Sequence, residues 1–106
     1  MDLAIDLNKE LVTNPDTTFY ARVRGESMKD AGISDGDVLV IDRSKTAKHG
    51  VIALCILDGE FTVKRLSIQG STISLVPANA HFPHIQIQEG QEFSVWGVVT
   101  YVIHKV

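Results

Sequence analysis

The sequence predicts a small, mostly β domain, a compact antiparallel barrel-like or sandwich-like fold with one short helix at its N-terminus. Turn signals built from Gly, Asp and Asn recur about every ten residues, which is typical of such folds. The apolar segments between the turns are short, and several alternate apolar with polar residues. The 106 residues, 44% of them hydrophobic, suffice for one small domain.

The first element is a helix in "DLNKELVTNP". Asp6 is placed to cap its N-terminus, and the pair Asn14-Pro15 ends the helical pattern. We therefore expect residues 1–15 to form an N-terminal arm with a short helix. Residues 16–106 are expected to form the β domain.

The strands follow in order after this arm. We expect them in the segments TTFYARVRG, DVLVIDR, GVIALCIL, EFTVKRLSI, STISLVPAN, HIQIQEG and EFSVWGVVTYVIHKV. The pair Asp58-Gly59 predicts a tight hairpin between the third and fourth segments. Gly97, inside the last segment, indicates a bulge or a bend.

Composition argues against several classes of protein. No apolar run reaches the roughly 20 residues that span a bilayer, and the N-terminus lacks the pattern of a signal peptide. The single cysteine, Cys55, excludes an internal disulfide and is expected to be a small buried hydrophobic residue. We therefore expect a cytoplasmic protein. The net charge of −3 argues against a free-standing nucleic-acid binder, so contact with DNA is expected only through another protein.

One serine stands out in the stretch "VRGESMKDAGISDGDVLVIDR". Ser27 becomes a nucleophile only if a base takes its proton, and histidine is the usual base. The four histidines lie in polar loops or near the C-terminus, and no motif surrounds any of them: His49, His81, His84 and His104. Their spacing does not match a metal site either, and we expect no metal and no other cofactor.

An uncharged lysine is the other base that a serine can use, provided that burial lowers its pKa. Lys64 is the lysine that sits within an apolar strand. Strand alternation places Thr62 and Leu66 on the same face as Lys64, and Phe61, Val63 and Arg65 on the other. From these residues alone, Lys64 is either a catalytic base or a solvated side chain whose stem packs on the strand.

Two linked motifs carry a family resemblance. "GESMKDAGISDGDVLVIDR" followed by "DGEFTVKRL" resembles the LexA-type family of self-cleaving serine peptidases, and within it the UmuD group of SOS mutagenesis proteins. The paired motif is Gly-x-Ser-Met, then Gly-Asp with an apolar strand, then a Lys in a hairpin arm 37 residues after the Ser. The similarity continues through "FYARVRG", "LVPAN" and "FSVWGVV" and covers nearly the whole chain.

This resemblance implies a catalytic pair, with Ser27 as the nucleophile and Lys64 as the general base. It also implies that the backbone N–H groups of Ser27 and Met28 hold the oxyanion, with "SMKDAG" forming one helical turn. Gly25 would allow the tight turn ahead of Ser27, and Met28 would pack rather than react.

Other polar and aromatic residues are assigned structural roles. Three are expected to be turn residues: Asp35, Gly36 and Asp37. Asp42 and Arg43 are expected to end a strand and to form a salt bridge. Three aromatic residues are expected in the core or at an interface: Trp96, Tyr20 and Tyr101.

The resemblance implies self-cleavage at a Cys-Gly or Ala-Gly bond upstream of the catalytic domain. This chain has no Cys-Gly, and its one Ala-Gly, Ala31-Gly32, lies inside the expected site. We therefore expect a processed form without its cleavage segment. Such a form is implied to be a homodimer, with "SVWGVVTYVIHKV" as our choice for the dimer contact.

The implied partners of the processed form are a UmuC-like Y-family DNA polymerase, which it assists in translesion synthesis, and the RecA filament. DNA would be contacted only indirectly, and no membrane is involved. The alternative is the C-terminal self-cleavage and dimerisation domain of a LexA-like or phage repressor. A small β domain without retained activity is a further alternative.

Overall fold

The computed structural model describes Met1 and residues 3–106. Its elements are helix α1 (Leu7–Leu11) and strands β1 (Thr18–Arg22), β2 (Val38–Asp42), β3 (Ile52–Leu57), β4 (Glu60–Gln69), β5 (Thr72–Val76), β6 (Ile85–Gln86) and β7 (Phe93–Ile103), with 3₁₀ turns at Pro15–Thr17 and Lys29–Ala31. The strands form one antiparallel sheet in the order β1-β2-β7-β3-β4-β5-β6. The predicted fold class is confirmed, and the sheet is sandwich-like rather than a closed barrel.

The N-terminal helix begins at its predicted cap but ends before the predicted stop at Asn14-Pro15. The Asp6 side chain accepts a hydrogen bond from the Asn8 N–H at 3.0 Å, which caps the first turn. The helix ends at Leu11, and Pro15 opens the following 3₁₀ turn. No residue of α1 is buried. Within the described part of the chain, no helix is long and apolar enough to cross a membrane.

The β3–β4 hairpin fixes the position of Lys64. Asp58 and Gly59 both have positive φ, 49° and 84°, as a two-residue turn of this kind requires. The register that follows pairs Lys64 with Ala53, which is fully buried. The hairpin therefore places the lysine in the middle of the sheet rather than at a solvated end.

Two apolar clusters lie on opposite faces of β3, because successive side chains of a strand point to opposite sides. The first contains Met28, Ile33, Leu39, Ile41 and Leu54. The second contains Ala53, Cys55, Leu66 and Leu75. Cys55 is a fully buried free thiol, which confirms its predicted packing role.

The long strand β7 bends at Gly97, as predicted. Leu54 pairs with Gly97 and Cys55 pairs with Val95, so Trp96 is an extra residue in a β-bulge. The half-buried Trp96 ring makes edge contacts with Phe19 and Phe61, at centroid distances of 6.4 and 5.3 Å. By contrast, Tyr20 and Tyr101 are both exposed.

The predicted salt bridge between Asp42 and Arg43 is wrong. Asp42 is buried and accepts hydrogen bonds from Thr17 and Ser44, and the bonds from Ser44 lower its pKa to about 2. The guanidinium of Arg43 instead lies over the Trp96 ring, 4.7 Å from its centroid. Neighbouring residues of a strand point to opposite faces, which separates the two charges.

Strand β6 is shorter than the predicted segment. Only Ile85–Gln86 pair with β5, because the chain then turns back between Gln88 and Gln91. The preceding residues, 77–84, form a loop. That loop reaches the segment that carries Ser27.

A Gly97→Ala substitution is expected to destabilise the fold by about 1–3 kcal/mol through overpacking. A Cβ at position 97 would lie 2.6 Å from Ile41 Cγ2 and 3.3 Å from the Asp42 carbonyl oxygen. The Ile41 methyl group cannot swing away easily, since a β-branched side chain is stiff and this one is fully buried. Urea unfolding of both proteins gives the difference.

The matched control is Ile41→Leu, which moves the side-chain branch of residue 41 from its Cβ to its Cγ. In the Gly97→Ala background this second substitution should recover part of the lost stability, whereas alone it should cost stability. Equal effects of Ile41→Leu in both backgrounds would contradict a clash at this position.

Candidate active site

The loop before Ser27 is held by a glycine and an aspartate. Gly25 has φ 87°, a conformation that favours glycine. Its N–H donates to Asp35 Oδ1 at 2.6 Å. After Ser27 the chain enters the 3₁₀ turn at Lys29–Ala31, which is the predicted helical turn, and Met28 packs into the core at 3% exposure. Ser27 thus lies between the turn at Gly25 and the buried side chain of Met28.

Ser27 and Lys64 are in contact. The distance from Lys64 Nζ to Ser27 Oγ is 2.9 Å. The lysine is only 9% exposed, and its Nζ also lies 2.8 Å from Thr62 Oγ1 and 3.1 Å from the Val63 carbonyl oxygen. The structure therefore brings together the two residues that were predicted to act as a pair.

These three contacts fit the three N–H donors of an ammonium, and they also fit a neutral amine. Such an amine has two N–H donors and one lone pair. The donors suit Thr62 Oγ1 and the Val63 carbonyl, while the lone pair suits the hydroxyl hydrogen of Ser27. The arrangement can therefore take a proton from Ser27 without breaking its other two contacts.

Burial favours the neutral form. Removal from water lowers the pKa of Lys64 below its ordinary 10.5. Among the described residues, no carboxylate lies within 4.0 Å of its Nζ. The nearby Cys55 supplies no charge at neutral pH, because burial raises the pKa of its thiol to about 11.

The backbone next to Ser27 offers free donors. Within residues 1 and 3–106, the N–H groups of Ser27 and Met28 have no protein acceptor, and the same is true of Glu26. Free N–H groups beside a nucleophile can stabilise a developing oxyanion. Ser27 and Met28 are the two donors expected from the sequence, and Glu26 was not among them.

A second loop, residues 77–81, is hydrogen-bonded to residues 26–30, the serine segment. Ala78 N–H donates to the Ser27 carbonyl at 2.8 Å, and the Ala78 carbonyl accepts from Asp30 N–H at 2.7 Å. Asn79 Nδ2 donates to the Glu26 carbonyl at 2.9 Å. The sequence analysis assigned no site residue here, since no local pattern shows which distant loop will meet Ser27.

Thr62 is also a site residue that the sequence analysis did not name. Its hydroxyl contacts Lys64 Nζ, as described above. The signal was present, because strand alternation places Thr62 and Lys64 on the same face of β4.

An apolar cleft of about 430 Å³ opens beside the pair. Its lining includes Phe19, Val23, Phe61 and Trp96 together with Ser27 and Lys64. The first half of β4, residues 60–64, pairs with β3 alone, because β5 pairs only with residues 65–69. This half of the strand leaves one backbone edge without a strand partner beside the cleft, which is the edge that an extended peptide can join.

None of the four histidines hydrogen-bonds Ser27 in the described part of the chain. His104 Nδ1 lies 2.6 Å from Asp37 Oδ1, and His49 Nδ1 accepts from the Ile68 N–H. His81 and His84 are exposed. Across the same residues, no group of three or more His, Cys, Asp and Glu could hold a metal ion.

Asp35 and Asp37 have the turn roles that were expected. Asp35 accepts from Gly25, and Asp37 accepts from the Ser34 N–H. The hydrogen bonds from Ser34 and His104 hold the pKa of Asp37 below its ordinary value. Neither carboxylate contacts Lys64, so neither opposes its neutral form.

Comparison with known proteins supplies the family. Residues 2–100 match the model of the family described as Peptidase S24-like. The chain belongs to this family. The LexA-type peptidase resemblance, including its UmuD group, is confirmed by this match and by the relatives that follow.

Three relatives share much of the sequence. Protein MucA of Salmonella typhimurium is 44% identical over 98 residues, covering 92% of this chain and 66% of MucA. Protein ImpA of the same species is 41% identical over 101 residues, covering 95% of this chain and 68% of ImpA. Protein SamA of S. typhimurium strain LT2 is also 41% identical over 101 residues and is covered to 69%. The chain thus spans about two thirds of the length of these relatives.

A Lys64→Met variant should reveal the buried amine through folding stability. The unfolded chain takes up a proton at Lys64 near pH 10.5, whereas the folded protein does so only at lower pH. The stability of the unsubstituted protein therefore rises with pH between these two values. Any gain in the free energy of unfolding that Lys64→Met gives over the unsubstituted protein should shrink over the same range. Urea unfolding between pH 7 and pH 10.5 measures it.

Lys48→Met is the matched control, because it removes one exposed positive charge from a surface loop. The comparison separates burial of the amine from the change in net charge. Each variant changes the free energy of unfolding relative to the unsubstituted protein. If this change depends on pH in the same way for Lys64→Met and Lys48→Met, a lowered pKa at Lys64 is contradicted.

Proposed function

We propose that this protein is a serine peptidase that uses Ser27 as nucleophile and Lys64 as general base. The observation that carries the proposal is the 2.9 Å contact between Ser27 Oγ and a buried Lys64 amine that has no carboxylate partner among residues 1 and 3–106. Membership of a peptidase family supports it. We further propose that residues 1–15 act as an arm of a peptidase domain formed by residues 16–106.

The first step is attack on a peptide carbonyl. Ser27 Oγ bonds to the carbonyl carbon while its proton moves to Lys64 Nζ. The carbonyl oxygen becomes an oxyanion, which the N–H groups of Ser27 and Met28 stabilise. Such a donor typically contributes about 3–4 kcal/mol to the transition state.

The second step releases the products. The Lys64 ammonium gives its proton to the leaving amine as the C–N bond breaks, which leaves an ester at Ser27. Neutral again, Lys64 takes a proton from a water molecule that attacks the ester, and returns it to Ser27 Oγ as the ester C–O bond breaks and the carboxylic acid product leaves. Thr62 and the Val63 carbonyl hold the amine in place throughout.

The proposed substrate is a segment of the protein's own family that lies upstream of the peptidase domain, within one chain or across a dimer. An extended segment can pair with the open edge of residues 60–64 and lay its side chains in the apolar cleft. Ala31-Gly32 is a poor substrate, because it belongs to the 3₁₀ turn that follows Ser27.

We propose that the processed protein then acts in SOS mutagenesis. It would form a homodimer and serve a UmuC-like Y-family DNA polymerase in translesion synthesis, with the RecA filament promoting its cleavage. The net charge of −3 supports contact with DNA only through such partners. A cytoplasmic location fits these partners and is part of the proposal.

The end of β7 is the proposed dimer contact. Tyr101, Val102 and Ile103 are all exposed there, as is Val106 at the C-terminus. Exposed apolar side chains at neighbouring positions are typical of interfaces between subunits. A second copy of the chain would cover them.

A cleavage assay tests the peptidase proposal. It uses the chain preceded by a segment that carries an Ala-Gly or Cys-Gly bond, with and without activated RecA filament. Cleavage should be lost in Ser27→Ala and in Lys64→Ala, and it should accelerate as pH rises and the lysine loses its proton. A rate that stays flat from pH 6 to pH 10 would count against a lysine base.

Thr62→Val should slow cleavage about fivefold, since the loss of one hydrogen bond of about 1 kcal/mol leaves the amine less well oriented. The control is Thr100→Val, which removes a threonine hydroxyl bonded to the Val40 carbonyl away from the site. The proposed role of Thr62 fails if both variants cleave at the rate of the unsubstituted protein.

A further inference from the structure

We infer that Asn79 is a positioning residue that orients an oxyanion-binding N–H group beside Ser27. This inference rests on the proposed function, because it assigns a role in the same reaction. Asn79 does not contact Ser27 Oγ or Lys64. It acts through the backbone of the serine segment.

The planar peptide group links the Glu26 carbonyl to the Ser27 N–H. The Glu26 carbonyl and the Ser27 N–H belong to one peptide unit, in which C=O and N–H point in opposite directions. Asn79 Nδ2 donates to the Glu26 carbonyl at 2.9 Å. Whatever fixes that carbonyl therefore also fixes the direction of the Ser27 N–H.

The Asn79 amide is itself held in one orientation. Its Oδ1 accepts from the His81 N–H at 3.0 Å, while its Nδ2 is used on Glu26. The Glu26 carbonyl also accepts from the Lys29 N–H at 3.2 Å, but that donor belongs to the serine segment and moves with it. Asn79 is the anchor that comes from outside the segment.

The neighbouring peptide unit is fixed in the same way. Ala78 N–H donates to the Ser27 carbonyl at 2.8 Å, which sets the direction of the Met28 N–H in the same unit. Thus residues 78 and 79 hold the carbonyls of the two peptide units that carry the Ser27 and Met28 N–H groups, neither of which has a protein acceptor among the described residues. Preorganised donors of this kind cost no reorientation when the oxyanion forms.

The probe for the test is an alkyl fluorophosphonate, which reacts with an activated serine. Ser27 Oγ would bond to phosphorus, the P–F bond would break, fluoride would leave and the proton would pass to Lys64. A phosphoryl oxygen takes the place of the oxyanion. Labelling of the chain is measured by mass spectrometry at pH 9, with Ser27→Ala as the specificity control.

Two variants separate the donated bond from the accepted one. Asn79→Asp keeps an acceptor for the His81 N–H but offers no proton to the Glu26 carbonyl, and Asn79→Ala loses both bonds. Both should lower the maximal labelling rate by about tenfold to hundredfold, up to the effect of losing one oxyanion donor. The probe concentration at half-maximal rate, the pH midpoint of labelling and the melting temperature should stay unchanged.

Asn14→Ala is the matched control. Asn14 Nδ2 donates to Ser44 Oγ at 3.1 Å, so this variant also loses one bond from an exposed amide, away from Ser27. It should label at the rate of the unsubstituted protein.

The outcomes distinguish this inference from the proposed function. Normal labelling rates in both Asn79 variants would overturn the inference and leave Ser27 as the nucleophile. Slower labelling together with a lower melting temperature and weaker probe binding would also overturn it, in favour of a structural role. No labelling of Ser27 in the unsubstituted protein would overturn the nucleophile assignment and this inference with it.

Discussion

The arrangement of the site depends on one constraint: an amine is buried, and no described carboxylate lies within 4.0 Å of it. A charged lysine is costly to remove from water unless it is paired, so the fold favours the neutral form of Lys64. The neutral form keeps a lone pair on Nζ, and Ser27 Oγ lies 2.9 Å from Lys64 Nζ. Thr62 and the Val63 carbonyl occupy the two N–H bonds. The same burial that costs stability therefore prepares the amine to act as a base.

Backbone geometry places the two partners from distant parts of the chain. The tight turn at Asp58-Gly59 sets the register that puts Lys64 opposite Ala53 in the sheet. The turn at Gly25 and the loop of residues 77–81 set the position of the serine segment. The lysine is thus positioned by a strand ladder, whereas the serine is positioned by loops. This division predicts that the lysine is the more rigid partner.

Local rules predicted the elements well, because their signals lie in neighbouring residues. Asp6 caps its helix, and Gly97 lies beside a bulge as expected. The failed salt bridge shows where such rules stop, since Arg43 lies over Trp96, which is 53 residues away in sequence. The hydrogen bond from Asn79 to the Glu26 carbonyl is another contact between distant residues, and no pattern along the chain specifies it. Ser27 and Lys64 were paired only through the family resemblance, because a lysine on a strand face is usually a solvated side chain.

The most direct test of the central claim is the titration of the Lys64 amine by NMR, with lysine labelled at Cε and Nζ and the resonance assigned with Lys64→Met. The account predicts a pKa clearly below 10.5, with the neutral amine as the species in contact with Ser27. A Lys64 amine that titrates at or above 10.5 in the folded protein would contradict the account, because the lysine would then hold its proton and could not serve as the base.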